Sequence, residues 1–281
     1  MVTFEPIDEM SGIVQSRRYG DTYYVHNDSG DVARFFAVKR DGTLITPAKV
    51  NRKADAGGNP VASDYAGIKV ETAANVDWED VAYDGDRLYF CDLGNNDNSR
   101  RDLGIYAVAE PNPLFVFSTR PQAWYPVKYE DQMVFPPAKR HYDCEAVFFL
   151  RGKLWMVTKH RAADGMSPVA STNLYVMQGW RTDKPNVLKK VDSLSNTNGW
   201  VTAADISPDG KTLAVLTHLL VPGIWLFDIP SKGEKLLSGR SRFLALSGVA
   251  QDEGICWNGA DELLVTNEQR SIYRVPMSAF N

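Results

Sequence analysis

Glu253-Gly254-Ile255-Cys256-Trp257, then Glu262-Leu263-Leu264-Val265, then Ser271-Ile272-Tyr273-Arg274-Val275: a polar residue opens a short apolar run, a turn follows, and two more apolar runs complete the phrase. Each run is rich in β-branched and aromatic residues, lacks a 3.6-residue period, and is bounded by turn signals such as Asn258-Gly259. Such runs read as strands rather than helices. The same three-part phrase stands upstream four more times. Its copies open at Ser11-Gly12-Ile13-Val14, Glu79-Asp80-Val81-Ala82-Tyr83, Glu145-Ala146-Val147-Phe148 and Thr202-Ala203-Ala204-Asp205-Ile206. Their second strands are Thr22 to Val25, Arg87 to Phe90, Lys153 to Val157 and Thr212 to Leu216. Their third strands are Arg34 to Val38, Gly104 to Val108, Asn173 to Val176 and Gly223 to Phe227.

A fourth, outer strand is expected after each of the first four copies, at Gly67 to Thr72, Ala123 to Lys128, Val187 to Asp192 and Ser241 to Leu246. Four strands per repeat make a propeller blade. The last copy runs out with three, while the chain begins with an unassigned extended segment, Val2 to Ile7, which added to the last blade closes a ring and covers an open edge. The expectation is therefore all-β: one β-propeller domain over residues 1–281, of five four-stranded blades closed by the N-terminal strand. A six-bladed ring is the alternative, and it needs a copy the sequence does not display. The Gly-, Ala- and Asp-rich stretch from Asn51 to Ala66 reads as a surface insertion.

Composition narrows the function. The chain has 31 basic and 35 acidic residues, a net charge of −4, mixed along its length with no basic stripe to follow a phosphate backbone, so nucleic acid is not an expected partner. No apolar run is long enough to span a bilayer, and Met-Val-Thr-Phe-Glu has neither the basic nor the apolar region of a signal peptide. The expectation is a soluble monomer, either cytoplasmic or secreted with its signal removed. Cys91, Cys144 and Cys256 match neither a disulfide framework nor a zinc signature and read as buried thiols.

In a propeller the first strand of each blade lines the central channel. The residues that open these strands, Ser11, Glu79, Glu145, Thr202 and Glu253, then ring one mouth. Carboxylates aimed at a common axis repel one another unless protonated or neutralised, and a hard divalent ion with oxygen ligands is the natural counter-charge. Ca2+ accepts six to eight flexible oxygens and suits such a ring better than Mg2+. Asp80, Asp143 and Asp252 stand beside the ring as further negative groups. The second strands end in polar residues on the same face: His26 and Asp28, Asp92, Lys159 and His160, His218, and Glu268. His26, His160 and His218 are candidates for proton transfer. Asp28, Asp92, Arg100, Lys159 and Glu268 are candidates to contact a small, anionic substrate or ligand.

The runs His26-Asn27-Asp28-Ser29-Gly30-Asp31 and Trp78-Glu79-Asp80-Val81-Ala82, with Asp205-Ile206-Ser207-Pro208-Asp209-Gly210, resemble a family of bacterial β-propeller proteins. More distantly, the order Ser11, Glu79, Glu145, Thr202, Glu253 is similar to the calcium-holding ring of the five-bladed nucleotidases called apyrases, with Thr for Ser at the fourth place. That resemblance implies a central Ca2+ on these five residues. The combined expectation is a calcium-binding propeller that hydrolyses a phosphate or carboxylate ester, or else a non-enzymatic propeller that binds a protein, sugar or small molecule and uses calcium structurally.

Overall fold

The computed structural model describes residues 1–2, 4, 6–50, 53–54, 60–61 and 65–280. The expected insertion from Asn51 to Ala66 lies mostly outside them. Strands of three or more residues are numbered in chain order. The first antiparallel meander is β1 (Met10–Gln15), β2 (Tyr23–Asn27), β3 (Arg34–Val38) and β4 (Ile68–Val70). The second is β5 (Trp78–Tyr83), β6 (Arg87–Asp92), β7 (Gly104–Ala109) and β8 (Pro121–Tyr129). The third is β9 (Arg140–Leu150), β10 (Lys153–Arg161), β11 (Thr172–Gln178) and β12 (Asn186–Leu194). The fourth is β13 (Trp200–Ile206), β14 (Thr212–His218), β15 (Gly223–Asp228) and β16 (Ser241–Ala245). The fifth has β17 (Asp252–Asn258), β18 (Glu262–Asn267) and β19 (Ile272–Pro276).

The first strands β1, β5, β9, β13 and β17 each touch the next, and β17 returns to β1, so they enclose a central axis. Successive meanders pack face to face, the fifth, first and second sharing one apolar core. Ala82, Tyr89 and Cys91 meet Val147 and Met156 between the second and third, and Ala203, Leu216 and Ile224 meet Ile255 and Val265 between the fourth and fifth. A sheet covered on both faces needs apolar residues at successive positions, not alternate ones. Hence Leu213, Ala214, Val215 and Leu216 of β14 are buried in succession and the sequence shows continuous apolar runs. Each large side chain so enclosed, Trp78 and Trp155 among them, contributes roughly 1.5–3 kcal/mol. The fold is a β-propeller.

Two features depart from a set of equal blades. The N-terminal segment forms no ladder along β19 among its described residues. Instead Val2 N–H donates to Arg270 O at 2.7 Å and Asn27 donates to Pro6 O at 2.8 Å, so the segment bridges the first and fifth meanders while Val2 and Ile7 are buried. Proline in this segment has no N–H to give a ladder. The second departure is that β8 and β12, the outer strands of neighbouring meanders, pair in parallel over Val127–Tyr129 and Asn186–Leu188, joining two blades into one sheet.

The decisive local feature recurs at the head of every first strand. The ladder slips at Met10/Ile13, Trp78/Asp80, Cys144/Ala146, Val201/Ala203 and Asp252/Gly254, a β-bulge in each case. The residues left over are Ser11 with Gly12, Glu79, Glu145, Thr202 and Glu253. A bulge inserts one unpaired residue and turns its side chain away from the regular pleat. The polar residue that opens each repeat is thus the bulged residue.

Candidate functional site

At one mouth of the channel the bulges bring acids together. One carboxyl oxygen from each of Glu79, Asp143 and Glu145 lies within 4.8 Å of the others, and the same holds for Asp28, Asp77 and Glu79. Glu79, Asp143 and Glu145 are buried, whereas Asp28 and Asp77 are partly exposed. Lys159, from β10, reaches into this group. Its ammonium contacts Glu145 Oε1, lies 3.6 Å from Asp143 Oδ2, and faces the Trp200 ring at 5.6 Å. Arg161 Nε stands 3.8 Å from Asp143 Oδ2. Among the described residues Asp28, Asp77, Glu79 and Glu253 have no cationic partner within 4.0 Å.

The electrostatics follow from this imbalance. Burial pushes the Glu79 carboxyl well up, and neighbouring Glu145 and Asp28 push it further. Burial also raises Glu145, although Lys159 pulls the other way. Glu253 is driven up to about 8 by burial against the opposing pull of Lys159. Asp77 rises to about 6 through burial and the Asp28 and Asp143 charges. For Lys159, burial works against the charge, but Glu145, Asp143, Glu79 and Glu253 outweigh it and raise the pKa. The neighbouring carboxylates thus favour the ammonium form of Lys159.

Backbone geometry holds the acids in place. Asp77 N–H donates to Asp92 Oδ1 at 3.1 Å, and Asp77 O accepts from Gly94 N–H at 3.1 Å. A Cβ on Gly94 would fall 2.2 Å from Glu79 Oε1 and 2.4 Å from Asp77 Oδ2, so only glycine there lets both carboxyls approach. Asp143 Oδ1 accepts Asn95 N–H at 2.6 Å. Among the expected negative neighbours, Asp80 lies elsewhere: it accepts backbone N–H from Val81 at 2.8 Å and Val147 at 2.9 Å, clamping β5 to β9.

Of the five expected ring residues, Glu145 contacts Lys159, Glu79 and Glu253 act on its charge from farther away, and the two hydroxyls are engaged with the backbone. Ser11 Oγ donates to Glu79 O at 2.5 Å and Thr202 Oγ1 to Asp252 O at 2.8 Å, each tying its bulge to the next. The reason is reach: a short hydroxyl side chain meets the adjacent carbonyl before it meets the axis.

The histidines divide. His26 is fully buried, packs edge-on against Trp78 and Phe90, and donates Nδ1–H to Asn27 O at 2.8 Å; burial lowers its pKa to about 4. His160 alternates with Lys159 along β10 and so faces the other way. It stacks on His141 at 3.8 Å, contacts Thr158 Oγ1 and Ser171 Oγ, and is lowered to about 3 by burial, His141 and Lys190. These two correct the expectation that the histidines share one functional face. His218 does stand at the mouth. Its Nδ1 lies 2.5 Å from Asp252 Oδ1, and that hydrogen bond raises its pKa against partial burial, with Glu253 and Glu268 adding to the rise.

Arg100 is committed to Asp92 at 2.9 Å, to Asp102 and to Gly94 O, so the expected anion contact of Arg100 and Asp92 is instead an internal pair that steadies the Gly94 turn. Glu268 lies at the rim, accepting from Gln251 at 2.5 Å. Asp28 lies with Asp77 and Glu79 among the acids. Asp77 was not singled out in the sequence, yet the signal was present: Asp77-Trp78-Glu79 and Asp143-Cys144-Glu145 both place acids two apart, on one face of an extended chain.

No family model and no curated protein matches the chain. Among solved structures it is similar to a Bacteroides uniformis protein provisionally named a 6-phosphogluconolactonase, with 10% identity, 96% of this chain and 82% of that one covered, and a TM-score of 0.44. It is similar to Kuenenia stuttgartiensis hydrazine synthase at 12% identity, 96% and 84% coverage and a TM-score of 0.46. For the aldose sugar dehydrogenase of Streptomyces coelicolor, solved with PQQ bound, the values are 12%, 94% and 90%, and 0.40. The propeller assignment stands on the chain's own strand pairing. Among the described residues no helix is long and apolar enough to cross a membrane.

Proposed function

We propose that the five meanders form a five-bladed propeller whose acidic mouth binds a divalent cation and hydrolyses a phosphate or carboxylate ester. One observation carries this reading: Asp28, Asp77, Glu79, Asp143 and Glu145 gather at the mouth, and among the described residues the ion pairs within this group are those of Lys159 with Glu145 and Asp143 and of Arg161 with Asp143, which leave Asp28, Asp77 and Glu79 unpaired. The donor set is all oxygen and anionic, which fits Ca2+. Glu79, with the acids around it, would hold the ion; once bound, such an ion polarises an ester oxygen or lowers the pKa of a water. The similarity of Glu79 to its place in the apyrase ring supports the same reading for that position.

The chain's own groups have separable tasks. Asp252 fixes His218 through Nδ1, which leaves Nε2 to take or give a proton at the mouth. Lys159, held as an ammonium, attracts an anionic group without competing for the proton. The test is hydrolysis of nucleotides, phosphomonoesters and lactones with calcium or with chelator. Calcium-dependent turnover is expected, reduced about 100-fold or more in His218→Ala. No turnover of any of them with calcium demonstrably bound defeats the hydrolase.

The seat of Lys159 on Glu145 favours a second reading, in which the ring carries its own cation and the mouth is a binding platform without catalysis. In that case chelator and added calcium both leave the melting temperature unchanged, and there is no activity to abolish.

A further inference from the structure

We infer that the cation binds at the rim triad Asp28–Asp77–Glu79, outside the inner triad that Lys159 fills. This rests on the cation reading above and fixes its position within the mouth. The inner triad of Glu79, Asp143 and Glu145 already receives an ammonium, in contact with Glu145 and 3.6 Å from Asp143. A divalent ion between those two acids would lie against a like charge. Among the described residues the rim triad has no such occupant.

Two independent features mark the rim as built for a ligand. First, Glu79 is only 6% exposed, yet among the described residues its carboxyl has no hydrogen-bond or ion-pair partner. A buried carboxylate without partners costs several kcal/mol, so an unpartnered one aimed at two other acids either holds a proton or gives it up to a bound cation. Second, Asp77 is pinned at both ends of its peptide, by Asp92 and by Gly94, and Gly94 has no Cβ to fill the space where the Asp77 and Glu79 oxygens converge. The ligands come from the loop after β2, the residue before β5 and the bulge within β5. Asp28 and Asp77 are partly exposed, so the triad opens towards solvent, where an ester could reach the ion.

The test is calcium binding by the full chain after chelator treatment, read by titration calorimetry and by thermal shift. Wild type is expected to bind one equivalent. Asp77→Asn, or Asp28→Asn should the first variant fold poorly, weakens binding about tenfold or more, as does Gly94→Ala. Glu145→Gln leaves the affinity within about threefold. Binding kept in Asp77→Asn and Asp28→Asn but lost in Glu145→Gln overturns this position while leaving the cation reading intact. No heat and no thermal shift with calcium, magnesium or manganese in wild type removes both.

Discussion

Thr202 and Ser11 occupy the same bulge as the three glutamates but use their side chains differently. Each hydroxyl donates to a carbonyl of the neighbouring first strand, so each acts as a staple between blades. Thr202→Val removes that bond at nearly constant volume, and the expected cost is about 1 kcal/mol in urea unfolding with calcium affinity unchanged. A large loss of affinity would instead make the hydroxyl a ligand. The repeated polar residue was readable because it interrupts an otherwise apolar strand. Its use was not, since a hydroxyl and a carboxylate at one register look alike until the distance to the axis is known. Lys159 shows the same limit: as a polar strand end it reads as a substrate contact, and only the packing of β10 against β9 seats it on Glu145.

At the level of elements, the apolar phrase located nearly every strand because sheets stacked on both faces demand unbroken apolar runs. The predicted outer strand at Ala123 to Lys128 is β8 extended by a few residues, and the one at Ser241 to Leu246 is β16. The parallel junction of β8 with β12 was not legible, since pairing between outer edges depends on where the blades lie in space. Neither was the role of Asp80, whose carboxyl joins β5 to β9 through the amides of Val81 and Val147. Asp80→Ala leaves both buried N–H groups without an acceptor. The expected loss is about 3 kcal/mol, measured by denaturant unfolding, with the mouth acids still able to bind calcium.

For the whole molecule, acid titration has two opposing parts. His26 and His160 are held neutral, with pKa values lowered to about 4 and about 3 from 6.5, so the unfolded chain takes up their protons first. Their contribution is complete above pH 6.5 and is lost as pH falls towards 4, at roughly 1.4 kcal/mol per pH unit for each histidine. The buried acids act with the opposite sign: Glu79, Glu145 and Glu253 are raised when folded, so falling pH relieves their repulsion. Comparing wild type with a His26→Gln, His160→Gln double variant separates the two. The variant is expected to lose less stability between pH 7 and pH 5 in urea melts, and an equal loss in both proteins would show that the histidines do not set the acid limb.

The bulges bear on how such a molecule can change. A residue in the regular ladder is constrained by its partner across the strand and by the sheet stacked on it, but each bulged residue stands outside the pairing. Five sockets around one axis can therefore exchange hydroxyl for carboxylate, or short for long side chains, without rewriting the strands that carry them. The chemistry at the mouth and the architecture beneath it are separately adjustable.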